Sequence, residues 1–220
     1  MSAPVVSLRG RRVIDLVHLF LVEHGGLLSL IDTGFVGTAP RILKALQRTG
    51  RRPEDVRQIV ITHAHGDHAG EAAALREWTG ARIVVGSADA PAFRGEVPYP
   101  AGRGPLSLPY RPLAAFPRFE PDVTVDGRTE LDGGLVAIPT PGHTVGHISV
   151  WAPDLEALFV GDTIWNLARL RPSWKPFTQD LEANADSVAV LAGEKARRAY
   201  FGHGPAIGGD VPARFRRLAR

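Results

Sequence analysis

A chain of 220 residues, 44% hydrophobic and 22% charged, is long enough to close a core without staples, and its balance excludes disordered, collagen-like and coiled-coil classes. It has no cysteine, so disulfide frameworks, thiolate zinc sites, iron–sulfur clusters and cysteine nucleophiles are excluded, and any metal must rest on histidine and carboxylate. The net charge is +3, with no acid-free basic block in the middle of the chain: Arg9, Arg11 and Arg12 at one end and Arg214, Arg216, Arg217 and Arg220 at the other read as solvated tips, and no nucleic acid is expected.

No apolar run reaches the roughly 18–20 residues of a bilayer span, and MSAPVVSLRGRR lacks a signal-peptide core, so a cytoplasmic chain without a membrane partner is expected. Residues 17–34 carry two β-type apolar runs around Gly25 and Gly26, which predicts a hairpin. Thr38, Pro40 and the apolar positions Ile42, Leu43 and Leu46, closed by Gly50, predict a helix. A β-branched strand follows over Val56 to Thr62, then a helix over Glu71 to Trp78 and a strand over Arg82 to Val85. Residues 88–122 hold many prolines and scattered aromatics without period, and predict an irregular insert over a site or against its rim. Strands return with VTVDG, Leu135 to Ile138, HISVW and ALFVG. Leu181 to Leu191 predicts a helix, Arg198 to Phe201 a strand and Val211 to Arg220 a last helix, all within one domain over 1–220.

Chemistry concentrates at THAHGDHAG, where three histidines and an aspartate sit between a strand and a helix. Such groups lose hydration on burial and gather only if something cationic collects them. His63 and His65 point the same way in extended chain, and Gly66 lets the backbone present Asp67 and His68 at an adjacent position, so two neighbouring metal positions are implied. His143 in TPGHTVGH, Asp162 in VGDT and His203 in FGHGP each end an apolar run, where a rigid scaffold places reactive groups. His147 begins the strand HISVW and reads as a supporting histidine; His18 and His24 read as ordinary strand histidines.

The ordered set His63, His65, Asp67, His68, His143, Asp162 and His203 resembles the metallo-β-lactamase superfamily over essentially the whole chain. The resemblance implies an α/β fold, a four-layer αββα sandwich of two mixed β-sheets flanked by helices, with the metals at one sheet edge. It implies that His63, His65 and His143 hold a first metal and Asp67, His68 and His203 a second, with Asp162 bridging. Asp32 of IDTG matches the family's DTG turn, a structural support beneath the site. Imidazole and carboxylate donors suit zinc, two ions per chain, with iron or manganese left open. Two cations about 3.5–4 Å apart lower the pKa of a shared water towards 7 and give a hydroxide nucleophile, with Asp67 as a catalytic proton shuttle.

Asp162 stands where zinc β-lactamases carry cysteine or serine, which argues against antibiotic hydrolysis, while GDTIW is similar to the corresponding turn of glyoxalase II. Over 220 residues no helical domain like the one that binds glutathione there is expected, which argues against that substrate, and Trp165 stands where related lactonases place a tyrosine. The expected function is a dinuclear hydrolase cleaving a carboxylic ester, thioester or lactone of a small acyl substrate. A mononuclear iron persulfide dioxygenase, a β-lactam hydrolase and a non-catalytic binding member stay open, as does a homo-oligomer. Trp165, Trp174, Phe177, Tyr110 and Phe116 form a candidate substrate wall, unless the rings anchor loops, and Arg169, Arg171 or Lys175 would meet a substrate carboxylate.

Overall fold

Apolar residues on alternate positions decide the architecture, because a strand buried on both faces needs two separate cores. In β2 (His18–His24), Phe20 and Val22 point to one core while Leu19 and Leu21 point to another. A computed structural model describes residues 5–9, 17–100 and 115–219. Among them, β1 (Val5–Arg9), β2, β3 (Leu27–Ile31), β4 (Val56–Val60), β5 (Arg82–Gly86) and β6 (Val123–Val125) form the first sheet, in chain order. The second runs β14 (Ile207–Gly208), β13 (Arg198–Tyr200), β10 (Ala157–Phe159), β9 (Ile148–Ala152), β8 (Val136–Pro139) and β7 (Thr129–Glu130).

Each sheet mixes antiparallel and parallel pairs: β2 and β3 form the expected hairpin around Gly25 and Gly26, both at positive φ, and β3, β4 and β5 then run parallel. Between the sheets lie Phe20, Val22, Ile31, Val60 and Val84 from one and Ile148, Val150 and Phe159 from the other. Outside the first sheet, α1 (Ala39–Arg48), α3 (Ala72–Thr79) and α4 (Ala90–Arg94) bury Ile42, Leu46, Leu75 and Phe93 against Leu19, Leu30, Ile59 and Ile83. Outside the second, α5 (Leu181–Leu191) and α6 (Val211–Leu218) bury Val188, Leu191 and Phe215 against Leu158, Val160 and Phe201. The result is the αββα sandwich. No helix among the described residues is long and apolar enough to cross a membrane.

The two sheets are also stitched by backbone hydrogen bonds at one edge. Ile148 N–H donates to the Thr62 carbonyl at 2.8 Å, His18 N–H to the Gly202 carbonyl at 2.8 Å, and Val17 bridges His203. That edge is where the loops carrying histidine and aspartate emerge.

The structure departs from the sequence pattern in places. Val5–Arg9 is a strand paired with β2, where the sequence pattern predicts no element; Arg11, Arg12 and Arg220 lie outside the described residues. Within 88–122, Ala90–Arg94 is helical, started by Pro91 in its first turn, and 101–114 lie outside the described residues. Phe116 does not line the site: it packs with Phe93, Tyr99 and Phe119 in the outer core. Burying such rings is worth about 1.5–3 kcal/mol each, enough to pin an irregular segment to the sandwich.

Candidate metal centre

Beyond β4 the chain delivers Thr62, His63 and His65, then turns at Gly66 into the short α2 (Gly66–Ala69), which carries Asp67 and His68. His143 comes from the loop between β8 and β9, Asp162 from the turn after β10 and His203 from the turn after β13. The structure brings all seven together. The donor atoms of His63, His65 and His143 lie within 4.8 Å of one another, as do those of His63, His68 and Asp162, and of Asp67, His68 and His203.

Hydrogen bonds fix which nitrogen of each ring faces inward. The Asp32 carboxylate accepts from Thr62 N–H at 2.8 Å, from the Thr62 hydroxyl, and from His68 Nδ1–H at 2.8 Å, so His68 Nε2 is the atom left for the site. With its proton given to Asp32, the Thr62 hydroxyl accepts from His63 Nδ1–H at 3.0 Å, which turns His63 Nε2 inward. Ser173 Oγ lies 2.8 Å from His143 Nδ1, and His143 Nε2 faces the cluster. Asp32 holds this support from a left-handed conformation with φ of 59°, uncommon for a residue with a side chain. His147 lies behind the cluster, with Nε2 accepting the Asp162 N–H at 3.0 Å and Nδ1 2.8 Å from the Thr140 hydroxyl.

A cation fits what remains. His65 Nδ1 lies 3.0 Å from both His63 Nε2 and His143 Nε2, whereas ligand atoms on a tetrahedral ion at about 2.05 Å stand about 3.3 Å apart. His68 Nε2 and Asp162 Oδ1 are buried and have no hydrogen-bond partner, a cost that a positive ion would remove. Asp162 faces both sets: Oδ1 is 3.5 Å from His68 Nε2, and Oδ2 is 3.5 Å from His143 Nε2 and 3.1 Å from His203 Nε2. With nitrogen and oxygen donors alone, the set implies divalent metal ions.

The electrostatics agree. Burial pushes His63 and His143 well below the ordinary imidazole range and lowers His65, so these rings are neutral at pH 7. Burial pushes His147 down to about 3. For His68 the same burial is outweighed by the Asp32, Asp67 and Asp162 carboxylates, which push it up to about 10; Asp162 and Asp67 likewise raise His203 against its burial. Burial disfavours the Asp162 anion, but the positive His203 and His68 rings hold its carboxyl well below the carboxylate range. In the metal-free protein these protons balance carboxylate charge that bound cations would otherwise neutralise.

Gly202 shows how tightly the cradle is cut. A Cβ there would overlap Asp162 Oδ1 and come within 2.8 Å of His68 Cε1, so only glycine leaves both in place. Gly202→Ala is expected to lower metal affinity at least about 10-fold in a chelator competition, the scale of disturbed ligand support; unchanged affinity would show that the cradle tolerates the methyl group.

Around the mouth, β11 (Ile164–Asn166) and β12 (Leu170–Pro172) form a small hairpin in which Trp165 pairs with Arg171. The Trp165 ring lies 4.5 Å from the His203 ring and 6.1 Å from Phe177, which in turn lies 5.4 Å from Trp174. Arg171 sits 5.7 Å from the Trp174 ring centroid, while Arg169 and Lys175 are exposed; Tyr110 lies outside the described residues. His24 is tied to Ser29 and the Gly133 carbonyl, far from this edge in the hairpin β2–β3. Thr62, Ser173 and Gly202 take part in the site although the sequence reading does not single them out. Only Thr62, which opens THAHGDH, carries a usable signal.

Comparison with known proteins agrees with this geometry. The model of the metallo-beta-lactamase superfamily matches residues 14–203. The chain is 30% identical over 201 residues to the probable metallo-hydrolase YflN of Bacillus subtilis, covering 80% of this chain and 74% of that protein. It is 38% identical over 149 residues to a hydroxyacylglutathione hydrolase of Cereibacter sphaeroides, covering 67% of this chain and 48% of that protein, so it spans about half the length of that relative. A metallo-beta-lactamase family protein of Thermus thermophilus superposes with a TM-score of 0.76 at 23% identity, over 98% of this chain and 78% of the other. The match to the family model runs through every cluster residue from His63 to His203, and the chain belongs to the metallo-beta-lactamase superfamily.

Proposed function

We propose that the chain is a hydrolase of small carboxylic esters, thioesters or lactones, working at a two-metal centre. His63, His65 and His143 would hold one ion, Asp67, His68 and His203 the other, and Asp162 would lie between them. The observation that carries this reading is the placement of one buried carboxylate, Asp162, within 3.5 Å of imidazole nitrogens from both sets. Bound divalent ions, zinc by the chemistry of the donors, would supply Lewis acidity and an activated water.

The chain's own residues supply the rest. Asp32 and Thr62 accept from Nδ1–H of His68 and His63 and so leave Nε2 of each ring for an ion, while Ser173 orients the His143 ring with its Nε2 towards the cluster. Asp67 keeps a side-chain exposure of 21% against 2% for Asp162, which makes it the carboxylate that a leaving atom can reach and that can hand it a proton. Trp165, Phe177 and Trp174 offer an apolar wall for an acyl group, and Arg171 beside Trp174 suits an anionic end of the substrate. Resemblance to hydroxyacylglutathione hydrolase favours a thioester.

The test is elemental analysis of purified protein combined with a panel of acyl esters, thioesters, lactones, β-lactams and phosphodiesters, before and after chelation. About two zinc ions per chain are expected, with turnover of an acyl compound lost on chelation and restored by metal. About one iron per chain with oxygen uptake on a persulfide, or no turnover of any acyl compound, would overturn the reading. In the same panel Trp165→Ala is expected to raise KM for long acyl chains about 10-fold, equivalent to about 1.4 kcal/mol of lost apolar contact, with short chains little affected. Equal KM values across chain lengths would remove Trp165 from the wall.

A further inference from the structure

Asp89 is a buried carboxylate that lies outside the cluster and that the proposed chemistry does not use. It ends the 3₁₀ turn Ser87–Asp89 after β5 and precedes Ala90 and Pro91, the position of a helix cap, yet its side chain makes no capping hydrogen bond to α4. It accepts instead from three donors elsewhere. Ala64 N–H donates to Oδ2 at 3.0 Å, the Thr144 hydroxyl to Oδ2 at 2.6 Å, and Gly146 N–H to Oδ1 at 2.8 Å.

The identity of those donors is what matters. Ala64 lies between His63 and His65, and Thr144 follows His143, so one carboxylate joins the two loops whose rings supply the three converging nitrogens. Those loops come from different sheets, and Ile148 N–H to the Thr62 carbonyl is the backbone hydrogen bond that joins them nearby. The backbone around the clamp is pressed together: a Cβ on Gly86 would overlap the Gly146 carbonyl oxygen, and one on Gly146 would overlap the Asp89 backbone nitrogen and stand 2.7 Å from Asp89 Cβ. Three N–H and O–H donors aimed at one side chain require an acceptor at each oxygen, which a carboxylate is and a carboxamide is not. The negative charge also faces His65 through space, which favours a cation held by that ring.

We propose that Asp89 is a positioning residue for the tri-histidine metal position. It sets the spacing between the His63–His65 loop and the His143 loop by gripping Ala64 N–H, the Thr144 hydroxyl and Gly146 N–H. Its hydrogen bonds go to two backbone amides and the Thr144 hydroxyl rather than to a ligand side chain. The inference rests on the reading of His63, His65 and His143 as metal ligands.

Asp89→Asn and the milder Thr144→Val, which removes one donor, test it in the full chain. Metal-free protein is titrated with Co²⁺ and Zn²⁺ against a chelator, so that the two positions are resolved by affinity and by the cobalt absorption spectrum. In Asp89→Asn the tri-histidine position is expected to weaken about 10–100-fold, the range for disturbed support of a ligand, while the position made by Asp67, His68 and His203 stays within about threefold. Thr144→Val is expected to weaken the same position by less, and it carries the test if Asp89→Asn does not fold. In metal-free Asp89→Asn the amide proton resonances of Ala64 and Gly146 are expected to move upfield, which reads the clamp with no ion present. Equal weakening of both positions, or a lower Tm with unchanged affinities, would make Asp89 a structural residue only. Wild-type protein that takes up no ion at the tri-histidine position would overturn the reading of the centre and this inference together; wild-type protein that binds two ions beside a variant with unchanged affinities overturns the inference alone.

Discussion

Asp162→Asn is expected to yield a folded protein that binds at least one metal ion fewer than the parent and has lost at least about 10³-fold in kcat/KM, equivalent to about 4 kcal/mol of transition-state stabilisation. The expectation follows from its place. Asp162 Oδ2 approaches His203 and His143 while Oδ1 approaches His68, so both oxygens face imidazole nitrogens of the cluster and stand where the proposed ions would be held. Asparagine keeps the shape but offers one acceptor, and its NH₂ turns a donor towards atoms that need an electron pair. It also removes the charge that pairs with His68 and His203 in the metal-free state, so those rings hold their protons less tightly. The neighbouring backbone is insulated from the change, because Asp162 N–H is held by His147. Metal content, kcat/KM on the best acyl substrate and a thermal melt check this together. A variant that melts like the parent, keeps two ions and turns over within about tenfold would remove Asp162 from the centre.

Much of the sandwich is legible in the sequence because its elements are local. The pair Gly25–Gly26 marks the β2–β3 hairpin, and Pro40 with Ile42 and Leu46 marks α1, since turn chemistry and helical spacing need no distant partner. Elements defined by a partner are harder to read. β1 has five residues and is a strand because β2 presents an edge to it; β14 has two and exists only against β13. The β11–β12 hairpin turns through Leu167, Ala168 and Arg169 without glycine or proline, so nothing local announces it. Phe116 shows the opposite error. An aromatic in a proline-rich loop reads as a candidate for the site, but the outer core had room for its ring beside Phe93.

The same distinction governs the centre. Histidine and aspartate crowded at THAHGDH stand out, since such groups are costly to bury without a cation. Asp89, Ser173 and Gly202 do not stand out. A serine accepting or donating one hydrogen bond, a glycine leaving room for Asp162, or an aspartate before Ala-Pro has an ordinary local explanation in sequence. The work of Asp89 on the centre depends on a loop more than fifty residues away meeting it at the edge where the two sheets join.

The metal-free protein is expected to be most stable close to pH 6.5 and to lose stability in both directions, for two different groups of histidines. His63, His65, His143 and His147 have folded pKa values below the unfolded value of about 6.5. As pH falls below 6.5 the unfolded chain takes up protons that these buried rings refuse, so stability is present above that pH and drains away below it, for His147 down to about pH 3. Each such ring steepens the loss by up to about 1.4 kcal/mol per pH unit. His68 and His203 have the opposite sign. Their folded pKa values are raised, so their contribution is complete below 6.5 and is lost as pH rises, for His68 up to about pH 10. Urea midpoints of chelated protein from about pH 4 to 10 should trace this dome, steeper on the acid side, where four rings act rather than two. Metal uptake must then displace the His68 proton, so binding at about pH 7.5 is expected to release at least about one proton and to tighten about tenfold per pH unit for each proton released. Calorimetric titration in buffers of different protonation enthalpy measures that release directly. Heats independent of the buffer, or an apo protein whose stability climbs steadily from pH 6.5 to about 10, would mean that His68 is not held protonated by Asp32, Asp67 and Asp162.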